Sequence, residues 1–589
     1  MAKPAYTSRS DAGRAGVPAR QRYRCVAMDL VGLCTKIQFS GGMRMRRFRW
    51  IGVVCLVVSL GDGSTVRAQA ASKIDRDLME ISVPGLERLY AAHKYTVAQV
   101  TQWCLDRIDR YDGTYKAMLS VDREGALRRA AEEDAEPKGT KHGELWGVPI
   151  LIKANTSVKG MVTSAGWEGY LKPGEELVAP RDAVVVARLK EAGAVILGQT
   201  NMPDFAASDT NVSTAGGRTG DAYDVRYSPG GSSGGTATGL AANFAVVGTG
   251  TDTANSIRQP AANNSLVGFM PTRGVTSIAG IHPLDWLRDN TGPLARDVTS
   301  AAITLDVMQA EDPLDKWTDG AAKKAQARPY TQYLKKNSLK GKRFAVPWFV
   351  LEGSPSVYGA GPDDPPNHGA VSPETRAAFM KAVGQLKAAG ATVLIDKEIL
   401  PESFFVVVRS VNTRPYRREG VDNFLRDFGP PQYHSVAEYE KATGDRFPAY
   451  MIGGLRTSSE VMPQKLLESD PEADANYYGP QRKALELYEE ARKKWKLDGF
   501  VYPALQIPTY DETVPGASKA GPYSETGWVN RIGVPAVSVP GGFYANGLPF
   551  GLEISGVRWK DGDLMGYAYA YEQATHNRRL PKLEEGARK

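Results

Sequence analysis

Short apolar runs, bounded by turn residues and interleaved with helical segments, recur along most of this chain. Gly147-Val148-Pro149-Ile150-Leu151-Ile152, Ala194-Val195-Ile196-Leu197 and Phe244-Ala245-Val246-Val247 are three of them; others lie at 343–347, 391–396, 499–503, 535–539 and 550–555. Gly147–Ile152, 194–197 and 244–247 are continuous apolar runs behind turn or helical segments, which read as buried strands. Helical segments fall between several of them. Thr96 stands as a cap before Val97, Val100, Cys104, Leu105 and Ile108 at helical spacing, and 124–135 and 183–192 have helical character. Ser372 and Pro373 open, and Gly390 closes, a helix over 372–389. This alternation predicts an α/β fold with a largely buried sheet. Strand signals at both ends of the chain predict one domain instead of two. The Gly/Pro-rich stretch 350–372 reads as a surface loop. The polar, aromatic, irregular stretch 401–480 reads as an inserted helical cap.

With 42% hydrophobic and 24% charged residues, the chain has the composition of a globular protein, and disordered or collagen-like classes are excluded. Its net charge of +7 is concentrated at the start. Residues 1–70 alone hold 12 Lys/Arg against 3 Asp/Glu, so the rest is close to neutral and gives no electrostatic case for binding nucleic acid. Arg44, Arg46, Arg47 and Arg49 precede an apolar run from Trp50 to Leu60, and Ala68-Gln69-Ala70 follows. A basic start, a short apolar core and a small-x-small site predict a signal peptide over 43–70, and hence a periplasmic or secreted protein. The run is too short to span a bilayer as a helix, so no stable membrane insertion is expected. Residues 1–42 then read as an annotation overhang or a disordered extension, with translation starting at Met43 or Met45. The alternative is a disordered basic tail before a core helix. A twin-arginine signal at Arg46-Arg47 fits its flanks poorly, and Cys55 lacks the small residue before it that a lipid anchor needs.

Cys25, Cys34 and Cys55 lie in this leader, which leaves Cys104 as the sole cysteine of a processed chain, with no intrachain disulfide and a packing role. The six histidines are scattered, none at ligand spacing, so neither a metal nor another cofactor is expected.

The densest chemical signal lies between 226 and 296. Tyr227-Ser228-Pro229-Gly230-Gly231-Ser232-Ser233-Gly234-Gly235 is a glycine-serine loop. It lacks the Gly-Lys-Ser/Thr ending of a phosphate loop and the spacing of a dinucleotide fingerprint; alone, a flexible linker competes with it. Next comes Gly248-Thr249-Gly250-Thr251-Asp252-Thr253-Ala254-Asn255-Ser256-Ile257-Arg258. The two segments together resemble the amidase-signature family, which places one serine in Gly-Gly-Ser-Ser-Gly-Gly and the nucleophile in Thr-Asp-x-x-x-Ser-Ile-Arg. Ser232 and Ser256 are 24 residues apart, as that alignment requires. The lysine expected in Gly-Val-Pro-x-x-x-Lys is Lys153. Further matches occur at Thr200–Phe205, Gly268–Thr272, Gly292–Arg296 and Gly533–Phe543, so the likeness covers most of 75–585.

What the resemblance implies is a single large domain with a central mixed, twisted sheet covered by helices on both faces, and a Ser–Ser–Lys triad. Lys153 takes a proton from Ser232, Ser232 takes one from Ser256, and Ser256 forms an acyl-enzyme with an amide substrate. A serine hydroxyl needs such a base, and a lysine serves if burial keeps it neutral. The resemblance also implies a cis bond at Gly231–Ser232 and an oxyanion hole from the backbone N–H groups of Thr253, Ala254, Asn255 and Ser256. Ala254-Asn255 replaces the family's usual Gly-Gly, and the acidic residue usual after the lysine is absent from Lys153-Ala154-Asn155. Ser233 and Asp252 are expected to support the site. Arg258 reads as a buried ion-pair partner of the loop, or else as a clamp for a substrate carboxylate. Trp286 and Tyr416 read as pocket walls or, as aromatic residues more often are, as core, and are not counted among the site residues. The expected partner is a small-molecule amide, with the chain a monomer or homodimer. Alternatives are the glutamine-hydrolysing component of a transfer-RNA-linked amidotransferase, a carbamate or ester hydrolase of the same family, and a binding scaffold with a dead site.

Overall fold

A computed structural model describes residues 72–585 except 138, 355–368, 453–469 and 518–523. All of these belong to one compact unit, Ala70–Lys589. The expected leader, and most of the expected loop at 350–372, lie outside the described residues. Among the described residues no helix is long and apolar enough to cross a membrane.

The core is an eleven-stranded mixed sheet. In chain order its strands are β1 (Met118–Val121), β2 (Val148–Lys153), β3 (Ala194–Thr200), β4 (Val247–Asp252), β5 (Val267–Met270), β6 (Asn290–Ala295), β7 (Arg343–Val346), β8 (Thr392–Ile395), β9 (Gly499–Pro503), β10 (Ala536–Phe543) and β11 (Pro549–Ser555). Their spatial order is β1-β3-β2-β4-β6-β5-β10-β11-β9-β7-β8. The pairs β3–β2, β2–β4, β9–β7 and β7–β8 are parallel and the others antiparallel. Every residue of β2, β3, β4, β6 and β11 is buried, which is what a sheet with both faces covered requires.

Local chemistry fixes the helix ends. Thr96 accepts from Gln99 N–H at 3.1 Å while the Gln99 side chain accepts from Thr96 N–H at 2.9 Å, a reciprocal cap on the helix Val97–Tyr115. Ser372 caps Pro373–Ala388 through Thr375 N–H, and Gly390 follows it at φ +95°. Cys104 is buried in the first of these helices.

One expected strand is displaced. The apolar run 244–247 predicts a strand, but β4 begins where that run ends and continues through Gly248-Thr249-Gly250-Thr251. Asn243, at φ +60°, and the Phe244 N–H bond to Gly239 O finish the preceding helix, Gly234–Ala241. Small residues in β4 let that helix lie close. A Cβ on Gly248 would fall 2.6 Å from Thr236 Cγ2, and one on Gly250 would fall 2.9 Å from Ser233 Oγ. The glycines thus set how near the serine loop approaches the strand that leads into Ser256.

The stretch 401–480 divides in two. Phe404, Phe405 and Val408 of the helix Glu402–Ser410 join Tyr488, Phe500 and Trp528 in a core beside β9. The helices Arg417–Phe428 and Val436–Thr443 pack instead on Tyr170, Leu177 and Phe205.

Candidate active site

Lys153 ends β2 with no solvent exposure. Its Nζ lies 2.7 Å from Ser232 Oγ, 2.9 Å from Ser233 Oγ and 2.9 Å from Thr251 Oγ1. Burial pulls its pKa down to about 7, against the charges of Asp252 and Asp289, which favour the ammonium. The bond Gly231–Ser232 is cis. A Cβ on Gly231 would meet Thr210 O at 2.5 Å and Ser208 O at 2.6 Å, so only glycine allows the loop this close. Asn155 donates to Thr251 Oγ1 at 3.1 Å, so this amide braces a partner of the lysine.

Ser256 is buried at the floor of a cavity of about 1230 Å³. Ser233 N–H donates to Ser256 O at 3.2 Å, which ties the two serine segments together. Ser232 Oγ is held by Lys153, and no hydrogen bond joins it to Ser256 Oγ. The backbone N–H groups of Thr253, Ala254, Asn255 and Ser256 donate to no acceptor among the described residues, and all four residues line the cavity. They form a row of free donors next to the serine.

The loop carrying that row is held from below. Arg258, fully buried, donates to Asp252 through Nε at 3.1 Å and Nη2 at 3.2 Å, to Ala254 O at 2.6 Å, to Asn530 Oδ1 at 2.8 Å and to Glu553. Its donors are therefore engaged inside the protein, and it does not line the cavity. The structure places it as the loop's ion-pair anchor and not as a substrate clamp. Burial opposes the Asp252 charge, but Arg258 outweighs it and holds the carboxyl below its ordinary range. Glu553 shares the same guanidinium, and burial prevails there, lifting it to about 7. From above, Thr253 Oγ1 donates to Asp289 at 2.5 Å, and Asp289 also accepts from Leu284 and Asp285 N–H.

Asn155, Thr251, Asp289, Asn530 and Glu553 are not among the candidates drawn from sequence. Thr251 lies inside the quoted motif, so its place on the strand edge was the signal to read. Asn530 and Glu553 stand 272 and 295 residues from Arg258, and no local pattern announces them. Trp286 and Tyr416 do not line the cavity; Trp286 Nε1 donates to Tyr416 O at 2.9 Å. His282 faces the Tyr170 hydroxyl at 3.0 Å, and burial pulls its pKa down to about 3, so it stays neutral and is engaged elsewhere.

The family model described as Amidase matches residues 99–565. Among curated proteins, the A-type subunit of the glutamyl-tRNA(Gln) amidotransferase of Symbiobacterium thermophilum is 32% identical over 86% of this chain and 100% of its own length. Its counterpart from Alkaliphilus metalliredigens is 31% identical over 84% and 96%. Among solved structures, the native peptide amidase of Stenotrophomonas maltophilia superposes with a TM-score of 0.69 at 28% identity, covering 86% of this chain and 99% of that one.

Proposed function

Given that the chain belongs to the amidase family, we propose that it hydrolyses a C–N amide bond through an acyl-enzyme on Ser256. The observation that carries this is the fully buried Lys153 amine 2.7 Å from Ser232 Oγ. As a neutral amine it has a lone pair to accept the Ser232 proton, and two N–H groups for Ser233 and Thr251. Ser256 Oγ attacks the carbonyl carbon as its proton passes to Ser232 and that of Ser232 to Lys153. The negative oxygen meets the free N–H groups of 253–256. Collapse breaks the C–N bond, the relay run backwards protonates the leaving amine, and water deprotonated by the same groups cleaves the Ser256 ester.

A second reading rests on the curated relatives, which are components of a tRNA-linked amidotransferase and favour that role over a free-standing amidase. The two are separated by assaying the purified chain alone for ammonia release from a panel of amides, carbamates and esters, glutamine included. We expect turnover of at least one simple amide without any partner. Activity that appears only when amidotransferase partner proteins are added would assign it the amidotransferase role.

The basic leader supports the free-standing reading. On this proposal the enzyme is exported, and N-terminal sequencing of protein from the native host finds a start near Ala71. A mature chain retaining 43–70 would refute the cleavage.

A further inference from the structure

We propose that the substrate is an amide whose acyl part carries a carboxylate, gripped by Arg531 and Arg288 on the cavity wall beside the Ser256 loop. This rests on the amide-hydrolase reading and names its substrate class.

Arg531 lies in the short helix Trp528–Ile532, next to an anchored neighbour: Asn530 Nδ2 donates to Asp252 O at 3.0 Å and Asn530 Oδ1 accepts from Arg258. The Arg531 side chain lines the cavity. Its Nε is buried without a hydrogen-bond partner, and among the described residues its guanidinium has no carboxylate within 4.0 Å. Arg288 lines the same cavity, and its Nη2 donates to Thr253 O at 3.1 Å, which sets this guanidinium against the loop of free N–H groups. Its Nε is likewise buried and unpartnered. Burial, and then the charge of Arg288, pull the Arg531 pKa down to about 9 although Glu525 and Asp285 favour its charge.

Acidic groups face this space as well: Asp285 and Asp289 favour the Arg288 charge, although burial outweighs them. Asp285 Oδ2 accepts from Thr413 Oγ1 at 2.6 Å and from Arg417 at 3.4 Å, and its Oδ1 is buried without a hydrogen-bond partner. Glu525 favours the Arg531 charge, but less than Arg288 opposes it. Asp209 lies towards Asn255, and burial lifts its pKa to about 6. Arg409 and Arg414 add two more positive charges to the lining. A planar guanidinium fork is matched by a carboxylate, and a buried, unpaired one is costly unless a ligand completes it. The tie from Arg288 to Thr253 puts the anion close to the nucleophile loop, which suits a short spacer between the carboxylate and the scissile carbonyl.

The test is ammonia release from malonamate, succinamate and glutaramate against butyramide, at fixed ionic strength. In the wild type the best carboxylate substrate should exceed butyramide by at least about 100-fold in kcat/KM, since charge-assisted hydrogen bonds are the strong class. Arg531→Gln and Arg288→Gln should each lower that ratio by about 10-fold or more, mainly through KM, with Arg531→Lys recovering part of it. Thermal melts like the wild type's establish that the variants are folded, and either variant alone suffices for the test. A wild-type ratio within about 3-fold of unity, or a ratio unchanged in both glutamine variants, overturns the proposal while leaving the hydrolase reading in place. If the wild type releases ammonia from no amide and takes up no serine-reactive fluorophosphonate, the hydrolase reading fails and this inference falls with it.

Discussion

Ser256→Ala should lower kcat by at least about 10⁴-fold while the protein stays folded, because removing a hydrolase's nucleophile costs nearly the whole covalent route. The substitution removes one hydroxyl from the cavity floor. The backbone contacts that place residue 256 remain, since Ser233 N–H donates to its carbonyl and the loop is anchored by Arg258 and Asp289. The loss should therefore appear in turnover and not in the melting temperature. Steady-state ammonia release beside a thermal melt checks both. Substantial activity in the alanine variant would mean that Ser232 or a water attacks in its place.

Replacing Lys153 by arginine should lower kcat/KM by about 10²–10⁴-fold, the usual worth of a general base. Guanidinium keeps its proton at any working pH, so it cannot receive one from Ser232. The wild-type pH profile follows from the same residue. Burial brings Lys153 down to about 7, and the neutral amine is the active form, so activity rises with pH through that value and levels off above it. Asp209 also lines the cavity and titrates near 6, so the assignment needs a control. If Lys153 carries the rising limb, Asp209→Asn leaves its position unchanged. A Lys153→Arg enzyme with the full activity and pH profile of the wild type would assign the base to another group.

The segments that carry Lys153, Ser232 and Ser256 were legible because they are local. Lys153 closes an apolar run, and both serines sit in compact motifs whose spacing carries the likeness. The helices with caps and periodic apolar faces were legible for the same reason. The strands β1, β5 and β6 were not. Asn290-Thr291-Gly292-Pro293 is poor in strand-forming residues, yet it belongs to β6, paired with β4 from Asn290 to Ala295. There a Cβ on Gly292 would lie 2.1 Å from Phe269 O, so glycine permits a strand that propensity argues against. The buried polar frame of Asn530, Glu553 and Asp289 was hidden for a different reason. Each acts on the loop through tertiary contact, and a lone Asn, Glu or Asp far along the chain carries no periodicity. The cavity arginines were equally silent, because an arginine on a wall and one on a wet surface look alike until the fold closes around them.

Which atom becomes acylated decides the mechanism, and trapping reads that most directly. An alkyl fluorophosphonate, on attack by an activated serine, loses fluoride and leaves a stable phosphonyl ester on the attacking oxygen. Digestion and mass spectrometry then locate the added mass. The expected result is a single modified site at Ser256 in the wild type and greatly slowed modification in Lys153→Arg. An adduct on Ser232 or on any residue other than Ser256, formed at the wild-type rate in Lys153→Arg, would contradict both the nucleophile and its base.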